Sequence, residues 1–231
     1  MFFYGTICLG DNMKKIDTVL FDLDGTLINT NEIIIQSFKY TFDTHFPEIV
    51  MDTDKILTFI GPTLQQTFGE YTKDPFLIQE MIESYRKYYV ENEMGMFEIY
   101  PNVVEVVSKL KEEGYNLGIV TSKFKEAAWP SFTHYKLDEL FDVFVSLDEV
   151  EFPKPDRNPI DVALSQFDSP KGAIMIGDNR GDILAGKNAG IHSAGVAWSI
   201  KGSAFLMQAE PDFMLADMSD IFRVLNRIEE D

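Results

Sequence analysis

Thr18-Val19-Leu20-Phe21-Asp22-Leu23-Asp24-Gly25-Thr26 is the stretch on which the reading of this chain turns. A short, wholly apolar run suits a strand buried on both faces of a parallel sheet. It ends at Asp22, and Asp24 follows two positions later, so on an extended chain the two carboxylates point the same way. At a strand end such a pair makes a compact acidic pocket suited to a hard cation such as Mg²⁺. Gly25 permits the tight turn beyond.

Working outward, three more apolar runs end at residues able to do chemistry. Leu117-Gly118-Ile119-Val120 ends at Thr121, Val143-Phe144-Val145 at Ser146, and Ala173-Ile174-Met175-Ile176-Gly177 at Asp178. Helical patterns separate them, one from Val103 to Glu113 stopped by Gly114, another from Asp182 to Asn188 stopped by Gly190. Strands alternating with helices predict βα units and a doubly wound parallel sheet. Sites in that architecture gather at the carboxyl ends of the strands, so these polar residues are expected to converge.

Almost 100 residues separate the strand ending at Asp22 from the one ending at Thr121, far more than one crossover needs. Glu32 to Glu93 reads as mostly helical, with Ile33, Ile34, Phe38 and Phe42, then Met81, Ile82, Tyr85, Tyr88 and Tyr89 near helical spacing. Breakers at Pro47, Gly61-Pro62, Asp74-Pro75 and Gly95 divide it into about four helices. The expected organisation is an extension over residues 1–12, a core over 13–28 and 97–231, and a small all-helical cap over 29–96. The aromatics read as the packing of that cap, which stands where a lid could close over the site.

Composition narrows the function. Twenty Lys and Arg stand against 38 Asp and Glu, a net charge of −18. A nucleic-acid binder needs a basic face, and anionic membranes attract basic segments, so neither partner is expected; no protein partner is implied. A small anion can still bind where a metal and a few lysines supply local positive charge. Cys8 is the single cysteine, which fits a reducing compartment, and the cytoplasm is the expected location. No run approaches the ~18 apolar residues that span a bilayer. His45, His134 and His192 lie far apart without ligand spacing and read as surface or packing residues.

Gly177-Asp178-Asn179-Arg180-Gly181-Asp182 also follows an apolar strand. Asp178 can complete a metal site, and Asp182, one helical turn on, can orient the metal's waters or a lysine. Lys154 lies between Pro153 and Pro155 on a stiffened loop. Opposite the carboxylates it would hold them ionised and neutralise phosphoryl charge. Thr121-Ser122 offers hydroxyl and backbone N–H donors for phosphate oxygens.

These four pieces, in this order, resemble the haloacid dehalogenase-like (HAD) superfamily of phosphohydrolases over essentially the whole chain after Met13. The resemblance implies an α/β, Rossmann-like parallel-sheet core with an inserted helical cap. It implies Asp22 as the nucleophile that takes the phosphoryl group and Asp24 as general acid, then base. Thr121 would bind phosphoryl oxygens and Lys154 would steady an aspartyl-phosphate intermediate. Mg²⁺ is implied on the Asp22 side chain, the Asp24 backbone carbonyl and Asp178, with Asp182 in support. Gly25, Thr26, Ser122, Lys123 and, from the cap, Gly61 are the expected contacts to substrate; Arg180 and Lys201 are further candidates for a second phosphate, and Trp198 reads as packing.

A closer likeness links Gly25 to Glu32, Phe59 to Leu64, Asp182 to Gly190, Ala194 to Gly202 and Glu210 to Leu215 with the PpaX-type inorganic pyrophosphatases of the phosphoglycolate-phosphatase-like branch. It implies hydrolysis of pyrophosphate to two phosphates. Asn29, where phosphoglycolate phosphatases commonly carry Asp, agrees with that subgroup, whereas Arg157 stands where the branch more often has proline. Phosphoglycolate or another small organophosphate is the alternative substrate. A 2-haloacid dehalogenase has no use for Asp24, a phosphoglucomutase relative would shield its phosphoenzyme from water, and a phospho-receiver domain would lack the helical insertion. Deleting residues 1–12 is expected to leave activity and Tm nearly unchanged in a phosphate-release assay and a thermal melt; a large loss would place them in the fold.

Overall fold

The structure, a computed structural model, describes residues 15–230; the expected extension over 1–12 lies outside them. The core is a six-stranded sheet made of β1 (Thr18–Phe21), β4 (Asn116–Val120), β5 (Val143–Val145), β6 (Ala173–Gly177), β7 (His192–Val196) and β8 (Phe213–Leu215). Every pairing is parallel, in the order β5-β4-β1-β6-β7-β8. The chain builds outward from β1 in one direction and then in the other, so β1 lies at the switch point where such sheets open a crevice.

Alternation along each strand divides the apolar residues between two helical layers. Val19, Phe21, Leu117, Ile119, Ile174 and Ile176 face one cluster. α5 (Val103–Glu112) and α10 (Asp220–Glu230) cover it with the stripes Val103, Val106, Val107, Leu110 and Ile221, Val224, Leu225, Ile228. Leu20, Val120 and Met175 face the other cluster, closed by α7 (Asn158–Leu164) and α8 (Arg180–Ala189). A Cβ on Gly118 would stand 2.7 Å from Leu20 Cδ2, so the glycine in that strand makes room for its neighbour. α5 and α8 end near the expected stops, with Gly114 at φ 78° and Gly190 at φ 75°. β7 and β8 are absent from the sequence reading, since His192-Ser193 and the brief Phe213–Leu215 do not make apolar runs of the same kind.

The long insertion folds as four helices among the described residues: α1 (Asn31–His45), α2 (Thr53–Leu57), α3 (Leu64–Phe68) and α4 (Pro75–Asn92). Asp52, Thr63 and Asp74 cap three of them with side-chain oxygens, so Gly61-Pro62 precedes a helix start and Asp74-Pro75 forms one. Phe38, Phe42, Phe59, Phe68, Met81 and Tyr85 build a hydrophobic cluster of their own. The chain leaves and re-enters the core through a two-residue ribbon, β2 (Ile28–Asn29) antiparallel to β3 (Glu98–Ile99). Between these strands and β4 lies α5; α6 (Lys125–His134) and the short α9 (Ser203–Met207) complete the helices.

Phe42 is fully buried and meets Phe46, Phe59, Phe68 and Tyr71. Phe42→Ala is expected to cost about 3–5 kcal/mol in chemical denaturation. A change below about 1 kcal/mol would contradict a packed cap core.

Candidate active site

The register of the sheet brings the chemistry to one level. Phe21 pairs with Ile119 on one side and Ile176 on the other, so Asp22, Thr121 and Asp178 emerge at the same edge. Asp22 N–H donates to the Ile176 carbonyl at 2.9 Å and Thr121 N–H to that of Val145 at 2.9 Å, which fixes both backbones up to the functional side chain.

Lys154 arrives from the loop after β5 and is buried. Its Nζ donates to Asp22 Oδ1 at 2.7 Å, to Asp182 Oδ1 at 2.5 Å and to the Val120 carbonyl at 2.8 Å. Burial works against its charge, but Asp182 and Asp22 more than offset it and hold the ammonium above the ordinary lysine range. Asp182 keeps its place through its other oxygen, which accepts from Asn179 N–H at 2.9 Å. Gly177 lets α8 begin this close, since a Cβ there would stand 2.3 Å from the Asp182 side chain.

Asp22, Asp178 and Asp182 are buried, with an oxygen of each within 4.8 Å of the others. Against one ammonium, three carboxylates leave an excess of negative charge. Burial drives the Asp22 carboxyl up to about 7, opposed by Lys154 and reinforced by Asp182. Burial, then the fields of Asp22 and Asp182, raises Asp178 well above the usual carboxylate range. Asp178 Oδ2 is buried and has no partner among the described residues. Gly25, at φ 81°, is required beside it, because a Cβ would lie 2.3 Å from that oxygen. An all-oxygen cluster with an orphaned carboxylate atom and excess negative charge fits a hard divalent cation.

Asp24 does not join that cluster with its side chain, although spacing alone puts it beside Asp22. The turn after Leu23, with Leu27 N–H donating to the Leu23 carbonyl at 2.9 Å, breaks the extended geometry. Asp24 Oδ1 accepts instead from Thr30 Oγ1 at 2.7 Å and Lys123 Nζ at 3.2 Å. The two carboxylates thus have separate partners, a precondition for separate roles.

Above these residues lies a cavity of about 510 Å³, floored by Asp22, Asp24, Thr121, Lys154 and Asp178 and roofed by the cap. Ser122, Lys123 and Gly61 line it as expected. Thr26 does not: it is fully buried, its carbonyl accepting from Trp198 Nε1 at 3.2 Å. Gly25 is likewise outside the lining and serves the turn against Asp178. Ser146 turns away, its hydroxyl bonded to Glu149 at 2.6 Å. Arg180 reaches Gln208 and Lys201 reaches the Ile60 carbonyl, so neither lines the cavity. Trp198 packs on Tyr100.

Sequence reasoning missed two contributors. Asn179 Nδ2 donates to the Ile60 carbonyl at 3.0 Å, and Gly61, at φ 109°, lets the cap loop approach, a Cβ there falling 2.4 Å from Asn179 Nδ2. Arg86 lines the cavity from α4 and stacks on Phe124 at 4.1 Å. Asn179 was visible as part of its motif; nothing in the sequence marks Arg86.

Residues 19–196 match the haloacid dehalogenase-like hydrolase family. The chain belongs to that family. Among curated proteins, this HAD-like hydrolase is 46% identical over 213 residues to the pyrophosphatase PpaX of Bacillus cereus (strain Q1), covering 92% of this chain and 97% of that one. It has the same identity to pyrophosphatase PpaX of Bacillus anthracis (strain CDC 684 / NRRL 3495), again over 213 residues. Among solved structures it resembles a haloacid dehalogenase-like family hydrolase from Streptococcus pneumoniae, with TM-score 0.78, 27% identity, and 92% and 99% of the two chains covered. A predicted phosphoglycolate phosphatase from Haemophilus somnus 129PT gives TM-score 0.79 and 26% identity, with the same coverage. Among the described residues no helix is long and apolar enough to cross a membrane.

The raised carboxyls set a pH prediction. In the ion-free protein Asp22 takes a proton as pH falls through about 7, and Asp178 is raised in the same direction. A raised carboxyl contributes stability that is lost as pH rises through its folded pKa, so these groups weaken the ion-free fold from pH 5 to pH 8. Mg²⁺ needs the same groups ionised, so its stabilisation is expected to be largest at pH 8 and to shrink toward pH 5. At a fixed concentration one hundred times the Kd at pH 8 it should reach about 2.7 kcal/mol there. Thermal melts with Mg²⁺ or EDTA at both pH values check this; an equal gain at both would contradict it.

Proposed function

We propose that this hydrolase is a Mg²⁺-dependent phosphohydrolase that works through an aspartyl-phosphate on Asp22, with inorganic pyrophosphate as its substrate. The observation that carries the chemistry is Lys154 Nζ at 2.7 Å from Asp22 Oδ1, beside the unpartnered Asp178 Oδ2. A carboxylate attacks a phosphoryl group only where cations screen their mutual repulsion. Substrate identity rests on the likeness to proteins named pyrophosphatase PpaX, whose length this chain covers almost completely.

In this scheme an Asp22 oxygen attacks phosphorus while the bond to the leaving phosphate breaks, and Asp24 protonates that leaving oxygen. Water then attacks the aspartyl-phosphate with Asp24 as base, which frees Asp22 and the second phosphate. The Thr121 hydroxyl, whose oxygen accepts from Lys123 N–H at 3.2 Å, donates its own proton to a phosphoryl oxygen. Lys154 holds Asp22 ionised and in place. Asp22, the Asp24 backbone carbonyl and Asp178, with Asp182 behind them, would hold Mg²⁺, which supplies charge neutralisation at the phosphoryl oxygens. Residues 29–96 act as a lid on the ribbon of β2 and β3, closing for transfer and admitting water for hydrolysis. The enzyme is assigned to the cytoplasm, in keeping with its single cysteine.

A second reading has its own support. The cavity of about 510 Å³, walled on the cap side by Ile34, Phe38, Phe59 and Leu64, falls in the range that holds organic ligands. It therefore favours phosphoglycolate or another small organophosphate as the alternative.

A phosphate-release screen over pyrophosphate, phosphoglycolate, sugar phosphates and nucleotides with Mg²⁺ should give pyrophosphate the highest kcat/KM, and EDTA should silence it. A phosphate ester in first place would move the assignment to the second reading. Asp22→Asn should lower kcat by more than about 10³-fold with the fold intact; a variant retaining a tenth of the activity would remove Asp22 as the nucleophile.

A further inference from the structure

Tyr85, Tyr89 and Glu93 recur at intervals of four along α4 and its C-terminal cap, so they share one face. All three are buried. This face meets the core at Lys123, the residue expected to bind substrate. The ammonium is already engaged: Nζ donates to Tyr89 Oη at 2.7 Å and to Asp24 Oδ1 at 3.2 Å, and stands 4.2 Å from the centre of the Tyr89 ring. Lys123 and Asp24 have side chains about equally withdrawn from water, at 15% and 16% exposure. Behind them Glu93 is buried with its Oε2 unpartnered among the described residues, so α4 adds a second carboxyl to the surroundings of the same ammonium.

We propose that Lys123 is a positioning residue, tied to the cap through Tyr89, that aims the Asp24 carboxylate only while the cap is seated. The proposal rests on the phosphohydrolase reading of the site and adds how the cap controls it. The lysine stem is flexible and loses much rotamer freedom when fixed, so one contact to Asp24 holds it poorly. The Tyr89 hydroxyl gives the ammonium a second anchor, and that anchor belongs to the helix that moves with the cap. With α4 withdrawn, Lys123 loses its Tyr89 anchor, and Thr30 is the firmly held partner left to Asp24. Cap closure and orientation of the acid are then a single event, and protonation of a leaving group is confined to the closed site.

A double-mutant cycle on Tyr89→Phe and Lys123→Met tests this. Tyr89→Phe keeps the ring and removes the anchor. It is expected to lower kcat for pyrophosphate about five- to tenfold, the worth of one hydrogen bond, with KM within about twofold. Lys123→Met should lose at least about tenfold, Lys123→Arg should recover part of it, and the double variant should be no slower than Lys123→Met. With p-nitrophenyl phosphate, whose leaving group needs little help from an acid, the losses in kcat/KM, which reports the transfer step, should shrink to about twofold or less. Losses that multiply in the double variant, or a raised KM with unchanged kcat, would overturn the proposal and make Lys123 a direct substrate contact. Thermal melts verify folding; should Lys123→Met not fold, Tyr89→Phe with the two leaving groups decides. If the wild type turns over phosphoglycolate and not pyrophosphate, the substrate assignment fails by itself and the cycle runs on phosphoglycolate. A wild type inert toward all three overturns the catalytic reading and this proposal together.

Discussion

The buried Lys154 ammonium, bonded to Asp22, Asp182 and the Val120 carbonyl, is the interaction on which the geometry of the site depends. It joins the ends of β1 and β4 to the start of α8, three segments far apart in the chain. Taking a charge out of water is costly unless it is paired and hydrogen-bonded. Here all three ammonium protons have oxygen partners. Removing Lys154 would leave its two aspartates uncompensated in a buried site, typically a loss of about 3–5 kcal/mol. The excess negative charge left by three carboxylates and one lysine then explains why the cluster suits a divalent cation.

Around that centre the sheet and the cap divide the work. The parallel register delivers Asp22, Thr121 and Asp178 to one edge at the switch point of the sheet. Glycines at 25 and 177 permit approaches that a Cβ would prevent. The cap has its own apolar core and meets the rest of the chain through contacts that include Asn179 and Lys201 to the Ile60 carbonyl, Asn31 to Tyr100, Lys123 to Tyr89, Arg86 on Phe124, and Ile200 packed against the cap cluster. A packed interior of its own and a partly polar seam to its neighbour suit the proposed lid role. Separate partners for Asp22 and Asp24 keep the proposed nucleophile and the proposed acid on different supports, one fixed to the core and one shared with the cap.

The parts legible in the sequence are those that backbone periodicity dictates. Four strands, the helices stopped by Gly114 and Gly190, and a helical insertion divided near Gly61 and Asp74 follow from local apolar patterns and breakers. The meeting of Asp22, Lys154, Asp178 and Asp182 followed from their place at strand ends and on a proline-flanked loop. What sequence left open depends on tertiary placement. The turn after Leu23 swings Asp24 to Thr30 and Lys123, which its i, i+2 spacing from Asp22 does not predict. The Ile60 carbonyl, a key contact of the cap, is a backbone atom that any residue would offer. Tyr89 reads as packing and Glu93 only as the end of a helical stretch, because only the docking of α4 brings them to Lys123. Ser146 ends a strand as Thr121 does, yet it caps the turn with Glu149, so a polar strand end alone does not mark a site.

The most direct measurement of the central claim is acid-quench mass spectrometry of the enzyme mixed with Mg²⁺ and pyrophosphate, resolved to peptides. A phosphoryl group on the peptide that carries Asp22, formed and lost at rates consistent with turnover, is the predicted result. Steady release of phosphate with no label on that peptide, or with the label on another residue, would contradict it.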